Sequence, residues 1–285
     1  MVVRLRQIPT GLRDAALAAV PLTVLSWLAL FSLSGQRLDS LGLDAAAALD
    51  PVWREAAVSI VLAVHGGGAV IAIAAVSVAV AAGVARLHHG IRVEALAVAV
   101  VAVAVLPQLG KLVLTRTIDD GQLTLASFPS GHVAAAVGVA ALCVCVVAPE
   151  GSGSSRVMAA AVAGWAAIAA VVVVWSLGHR PADVIASLLL VDLVVASVRS
   201  RTGLVVRRHA AVVGWFAAGS LAVTALEGVW AVLIAGAVCG VAILVAAAGI
   251  GCTLGCTVVE QLRHTAVRRS VAVGRAEHPS EPVGI

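Results

Sequence analysis

Residues 157–198 read VMAAAVAGWAAIAAVVVVWSLGHRPADVIASLLLVDLVVASV, and this stretch decides the fold class. It consists of two apolar runs, 157–178 and 183–198, joined by a short connection that contains a histidine, an arginine and a proline. An apolar run of roughly 20 residues is long enough to cross about 30 Å of hydrocarbon as a helix. The stretch therefore predicts two consecutive membrane-spanning helices with a tight polar turn between them.

The rest of the chain has the same character. The 285 residues are 61% hydrophobic and 12% charged, whereas a soluble globular domain is about half apolar and about a quarter charged. Further apolar runs lie at 15–34, 56–84, 93–114, 131–148, 209–226 and 229–258. The sequence predicts an all-α, polytopic transmembrane bundle with eight crossings.

Lysine and arginine are unevenly distributed between alternate loops. If the N-terminus is cytoplasmic, 14 of the 19 cations lie on the cytoplasmic side. The five on the other side are Arg37, Arg54, Lys111, Arg116 and Arg180. Cations are enriched on the cytoplasmic side of membrane proteins, so we expect a multi-pass plasma-membrane protein with both termini in the cytoplasm. Because the arginines are dispersed in short loops, no nucleic-acid partner is predicted.

Five segments follow from this pattern. They are a cytoplasmic N-terminus (1–14), a six-helix core (15–198), a basic cytoplasmic loop (199–208), two additional transmembrane helices (209–258) and a disordered cytoplasmic tail (259–285). The first span is interpreted as a retained signal anchor. Gly251 and Gly255 form a small-xxx-small pattern, which predicts close helix packing. The five cysteines are interpreted as small buried thiols.

Three groups of polar residues are predicted on the outer face. The first is Lys111 with Arg116, the second is FPSGH at 128–132, and the third is GHRPAD at 178–183. An arginine fork suits phosphate oxygens, and the free N–H groups of a helix start, here Ser130 and Gly131, favour an anion. The three groups together predict an anion-binding site. For Lys111 and Arg116 alone, the alternative is that both side chains extend to lipid headgroups.

Two histidines add reactive groups to this site. Pro181 suits the first position of a helix, which places Asp183 in the first turn, four residues after His179. A histidine oriented by a carboxylate keeps one ring nitrogen for attack or proton transfer. His132 supplies a second imidazole, so nucleophile and general acid are assigned to different residues. This set of residues is suited to phosphoryl transfer.

FPSGH and HRPAD, preceded by a lysine and an arginine, resemble the motifs of the type 2 phosphatidic acid phosphatase (PAP2) superfamily over about residues 56–198. The resemblance implies a six-helix core and metal-independent hydrolysis of lipid phosphates, without a cofactor, through a phosphohistidine. It implies His179 as nucleophile, Asp183 as its orienter and His132 as general acid. The phosphate-binding residues that it implies are Lys111, Arg116, Ser130 and Gly131.

The sequence departs from the family pattern at two places. The family's first motif is K-x6-R-P, whereas Lys111 and Arg116 are five residues apart and Thr117 replaces the proline. The family has an arginine six residues before the nucleophile, where this chain has Val173. Arg180, next to His179, is the candidate replacement for that phosphate-binding cation. The pattern is similar to a divergent actinobacterial-type branch.

The expected substrates are polyprenyl phosphates or diphosphates, phosphatidic acid or phosphatidylglycerol phosphate, and the sequence does not choose among them. One alternative is a non-catalytic lipid-phosphate binding or transport protein on the same scaffold. Another is a proton-coupled transporter that uses His65 and Asp192, two ionisable residues inside predicted spans. Asp119 and Asp120 are expected in a solvated outer loop. Oligomeric state and the role of the last two helices are left open.

Overall fold

The computed structural model describes residues 10–65, 93–116, 127–147, 153–198, 204–226 and 228–251. Within these ranges every regular element is an α-helix. The helices are α1 (Thr10–Phe31), α2 (Leu33–Ala47), α3 (Pro51–His65), α4 (Val93–Val113), α5 (Gly131–Val147), α6 (Gly153–Trp175), α7 (Pro181–Val198), α8 (Leu204–Ala225) and α9 (Val229–Gly251). The predicted all-α class is confirmed for the described part of the chain.

Several helices are long and apolar enough to cross a membrane. They are Leu96–Val113 of α4, Val157–Trp175 of α6 and Val229–Gly251 of α9, and the bent pair formed by α1 and α2 is a fourth if it counts as one span. The predicted spans 56–84 and 229–258 continue beyond the described residues. Large apolar side chains such as Trp27, Trp215 and Leu244 are exposed on the outside of the bundle. Exposed apolar surface on this scale fits a protein surrounded by lipid.

Helix α7 lies at the centre of the bundle. It packs against α1, α2, α4, α5 and α6, and nearly all its side chains from Ala182 to Ala196 are buried. A helix that is apolar on all sides is expected in such a position. The central location of α7 places its first turn, which carries Asp183, under the ends of several neighbouring helices.

Helix α2 occupies residues that the predicted spans left as an outer connection. Ser32 breaks the first span, and its hydroxyl caps α2 by accepting a hydrogen bond from the Gly35 N–H at 3.3 Å. The axes of α1 and α2 differ by 83°. Gly35 permits this bend because a Cβ atom there would overlap the Leu28 carbonyl oxygen. The bend returns α2 onto the bundle, where it contacts α6, α7 and α8.

The last two helices pack onto the others within the described part of the chain. Helix α8 contacts α1 and α2, and a Cβ at its Gly219 would lie 2.5 Å from Val238 of α9. A Cβ at Gly251 would lie 2.9 Å from Ala163 and 3.1 Å from the Ala159 carbonyl oxygen of α6. The predicted close packing at Gly251 is therefore confirmed, whereas Gly255 lies outside the described residues.

Candidate active site

The three polar groups predicted from the sequence meet at the first turns of α5 and α7. Arg116, just after α4, donates from Nη2 to Asp183 Oδ1 at 2.7 Å. The Ser130 N–H donates to the Asp183 carbonyl oxygen at 3.1 Å. A Cβ at Gly110, in the last turn of α4, would lie 2.6 Å from Pro129. These contacts bring the ends of α4, α5 and α7 into one cluster.

His179 and Asp183 form the pair that their spacing predicts. The His179 Nδ1 atom lies 3.4 Å from Asp183 Oδ2, which is long for a hydrogen bond but within the range that tightens when a site closes on its ligand. The same Oδ2 accepts the Arg180 N–H at 3.1 Å. With Nδ1 facing the carboxylate, the Nε2 atom of His179 is the nitrogen left for chemistry.

The second imidazole stands beside the first. The ring centroids of His132 and His179 are 6.0 Å apart, and the rings are tilted by 58°. His179 is 7% exposed, and His132 is half-buried at the second position of α5. The two rings are close enough to contact one small anion from two directions.

Ser130 and Gly131 begin α5 as predicted. Ser130 is fully buried, and its hydroxyl accepts a hydrogen bond from the Val133 N–H at 3.4 Å, as an N-cap does. Its own N–H is directed to Asp183, so Ser130 serves to fix the helix start. Helix geometry leaves the N–H group of Gly131, in the first turn of α5, without an intrahelical acceptor. That N–H group is the donor that the start of α5 offers an anion.

Arg116 is held by carboxylates. Its side chain is 1% exposed, and Nη2 lies 2.7 Å from Asp39 Oδ2 as well as 2.7 Å from Asp183 Oδ1. Its Nη1 donates to the Ala29 carbonyl oxygen at 3.0 Å. Burial by itself would lower the pKa of Arg116, but Asp39 and Asp183 outweigh that effect and the pKa is raised. Direct phosphate binding by Arg116 stays a prediction, and its observed partners are protein groups.

The other two predicted cations differ in their surroundings. Lys111 lies in the last turn of α4 and is half-buried. Arg180 is 2% exposed, and its Nη1 donates to the Ser40 hydroxyl of α2 at 2.8 Å. The sequence left the direction of Arg180 open, and the structure turns it inward. Val173, at the position of the family's third cation, is buried in α6.

Three polar residues of this cluster were not predicted from the sequence. Asp39 accepts the Ala182 N–H at 2.7 Å through Oδ1, and Ser40 binds Arg180. The Ser187 hydroxyl lies 2.8 Å from the Ser130 carbonyl oxygen and 2.7 Å from that of Asp183. Ser187 could have been found from its i+4 spacing to Asp183. The sequence indicates Asp39 less clearly. Ser32 is a possible N-cap followed by apolar residues at helical spacing, and this pattern would have predicted only the helix that carries Asp39.

The remaining candidates contribute little to the site. Asp192, which the transporter alternative would use, is 1% exposed within the bundle. Asp119, Asp120 and the side chain of His65 lie outside the described residues. Among the residues that the structure describes, no group of three or more His, Cys, Asp or Glu side chains could hold a metal ion.

Comparisons of this chain with protein-family models, with curated proteins and with solved structures find no match in any of the three. The functional assignment therefore depends on the residues and their geometry.

Proposed function

We propose that this chain is a PAP2-type membrane phosphatase that hydrolyses lipid phosphate esters or anhydrides through a phosphohistidine. The observation that carries the proposal is the His179–Asp183 contact at 3.4 Å, with a second imidazole, His132, 6.0 Å away between ring centroids. A carboxylate-oriented histidine beside another histidine separates the nucleophile from the general acid.

The proposed reaction has two steps. His179 Nε2 attacks phosphorus, the bond from phosphorus to the leaving oxygen breaks, and that oxygen takes a proton from His132. Water then attacks the phosphohistidine, His132 accepts the water proton, and the P–N bond breaks to release inorganic phosphate. Asp183 holds Nδ1–H of His179 in both steps and stabilises the positive charge on the ring. No metal or cofactor takes part in these steps.

The membrane would supply the substrate. In this proposal the six predicted spans within residues 15–198 form the catalytic core, the site faces the extracytoplasmic side of the plasma membrane, and both termini are cytoplasmic. The apolar tail of a polyprenyl phosphate, polyprenyl diphosphate or phosphatidic acid would lie along the exposed apolar helices. Its headgroup would enter at the first turns of α5 and α7, where the N–H group of Gly131 and the side chain of Lys111 are the nearest candidates for phosphate binding.

Phosphate release by the purified full-length protein tests the proposal. The panel contains polyprenyl mono- and diphosphates, phosphatidic acid and phosphatidylglycerol phosphate. We expect His179→Ala to lower the rate by at least about 1,000-fold and His132→Ala by about 100-fold or more. His278→Ala, the same substitution in the predicted tail, is the matched control and should behave as wild type. Equal release by wild type, His179→Ala and His132→Ala would contradict the enzyme assignment.

The second candidate is a lipid-phosphate binding or transport protein on the same scaffold. It is favoured by two observations: Val173 is apolar where the family has a cation, and Arg116 is already paired with Asp39 and Asp183. Transfer of a fluorescent lipid phosphate between leaflets of proteoliposomes, without phosphate release from any substrate, would support this candidate instead.

A further inference from the structure

We propose that Asp39 is a positioning residue of the catalytic site, which holds Arg116 against Asp183, so that Arg116 acts through the Asp183–His179 pair and does not bind phosphate. This inference rests on the proposed phosphatase function. It concerns α2, the helix formed by the bend after the first span.

One carboxylate of α2 joins three parts of the chain. Asp39 is fully buried. Its Oδ1 accepts the Ala182 N–H at 2.7 Å, and its Oδ2 lies 2.7 Å from Arg116 Nη2. Next to it, Ser40 accepts from Arg180 Nη1 at 2.8 Å. Asp39 therefore connects α2 to the first turn of α7 and to the segment that follows α4.

The guanidinium of Arg116 faces two carboxylates. Its Nη2 is shared between Asp39 and Asp183, and its Nη1 donates to the Ala29 carbonyl oxygen at 3.0 Å. With 1% of the side chain exposed, a phosphate could reach Nη2 only by displacing a carboxylate. A phosphate in that place would also be repelled by the remaining carboxylate. These contacts oppose direct phosphate binding by Arg116.

The two carboxylate oxygens of Asp183 contact different partners. Arg116 holds Oδ1 at 2.7 Å, and Oδ2 is directed to His179 Nδ1 at 3.4 Å and to the Arg180 N–H at 3.1 Å. A carboxylate fixed at one oxygen cannot rotate away from the imidazole. Misplacement of a catalytic group by about 1 Å can cost about 100-fold in rate. Asp39 thus influences the nucleophile through Arg116 and Asp183.

Two substitutions that remove charges of opposite sign near His179 should shift the pH profile of kcat/KM in opposite directions. Among the residues that the structure describes, the charged and titratable groups of the cluster around His179 are Asp183, Arg180, His132 of α5, Arg116 after α4 and Asp39 of α2. Asp39→Asn removes a negative charge from the surroundings of the Asp183–His179 pair. Arg116→Gln removes a positive charge from the same surroundings. The acidic limb of the kcat/KM profile should therefore move to lower pH in the first variant and to higher pH in the second.

The experiment measures kcat, KM and their pH dependence for the full-length protein with one lipid phosphate that the wild type hydrolyses. We expect kcat to fall about 10-fold or more in both variants with KM within about 3-fold. The acidic limbs should shift in opposite directions by on the order of half a pH unit. Asp44→Asn, which changes a half-buried carboxylate further along α2, is the matched control and should leave the profile unchanged.

Arg116→Lys keeps the test decisive if Asp39→Asn does not fold. Lysine retains the charge but lacks the fork that bridges two carboxylates, so kcat should fall while KM and the acidic limb stay at their wild-type values. A 10-fold rise in KM with unchanged kcat would instead make Arg116 a phosphate ligand and overturn the inference. An active wild type with unchanged kinetics in Asp39→Asn would also overturn it, while the phosphatase proposal would stand. If the wild type releases no phosphate, both the phosphatase proposal and the inference about Asp39 are contradicted.

Discussion

Ser187 lies one helical turn below Asp183 and connects the two motifs that carry the histidines. Its hydroxyl proton is shared between the Ser130 and Asp183 carbonyl oxygens, at 2.8 and 2.7 Å. The Ser130 carbonyl belongs to the residue that caps α5, two positions before His132. The hydroxyl therefore helps to set the distance between His132 and His179.

Replacing Ser187 with alanine should lower activity more than stability. The loss of one buried hydrogen bond costs about 1 kcal/mol, but it also frees the start of α5, so we expect phosphate release to fall about 3- to 10-fold. Ser220→Ala is the matched control, since its hydroxyl is also buried and donates to the Phe216 carbonyl oxygen at 2.9 Å inside α8. Thermal unfolding and initial rates are measured for both. If the two variants lose activity equally, Ser187 has no specific role in the site.

Residue types and spacing predicted which polar residues would lie close together. They predicted the individual contacts and roles of those residues less well. The i+4 relation of His179 and Asp183 can be read directly from helix geometry. The partner of Arg116 cannot, because Asp39 is 77 residues away in sequence and reaches it only after α1 bends into α2. A cation in an outer loop looks the same in sequence whether it faces phosphate, lipid headgroups or a buried carboxylate.

At the scale of the helices, α2 was the element that the sequence did not predict. Its residues 33–47 mix apolar, charged and glycine residues, so a search for long apolar runs passes over them. Two local features determine where α2 begins. Ser32 caps the helix, and Gly35 allows its first turn to lie close to α1. Helices α4 to α9, in contrast, largely overlap apolar runs that hydropathy predicted, and α4, α6 and α9 are long and apolar enough to cross a membrane.

Gly42 is the point at which α2 meets both α7 and α9, and Gly42→Ala should separate them. A Cβ there would lie 2.7 Å from the Pro181 ring and 3.2 Å from Cys239 Sγ. The proline ring cannot rotate away, so the extra methyl group should displace α2 and with it Asp39 and Ser40. Overpacking of this kind costs about 1–3 kcal/mol. We expect a lower unfolding temperature and at least about 10-fold slower phosphate release.

The control for this substitution is Gly240→Ala on α9, where a Cβ would meet nothing within 4 Å. Its unfolding temperature and rate should match those of the wild type. If Gly42→Ala also keeps wild-type activity, the contact of α2 with α7 is not needed for the reaction.

At the scale of the whole molecule, the proposed position of the site relative to the membrane rests on the distribution of charge. Fourteen of the 19 lysines and arginines fall on one predicted side, and three of the other five, Lys111, Arg116 and Arg180, lie in the segments that form the site. Two of these three are buried against carboxylates or a hydroxyl.

Cysteine labelling in intact cells tests this orientation. Because α2 turns 83° from α1 and contacts the first turn of α7 through Asp39, the exposed Ala48 at its end should lie on the same side as the site. In a variant whose five natural cysteines are replaced by alanine, a membrane-impermeant maleimide should label Ala48→Cys without permeabilisation. Ala276→Cys, the same substitution in the predicted cytoplasmic tail, should react only after the membrane is opened. The reverse pattern would place the site in the cytoplasm, and the substrate would then have to come from the inner leaflet.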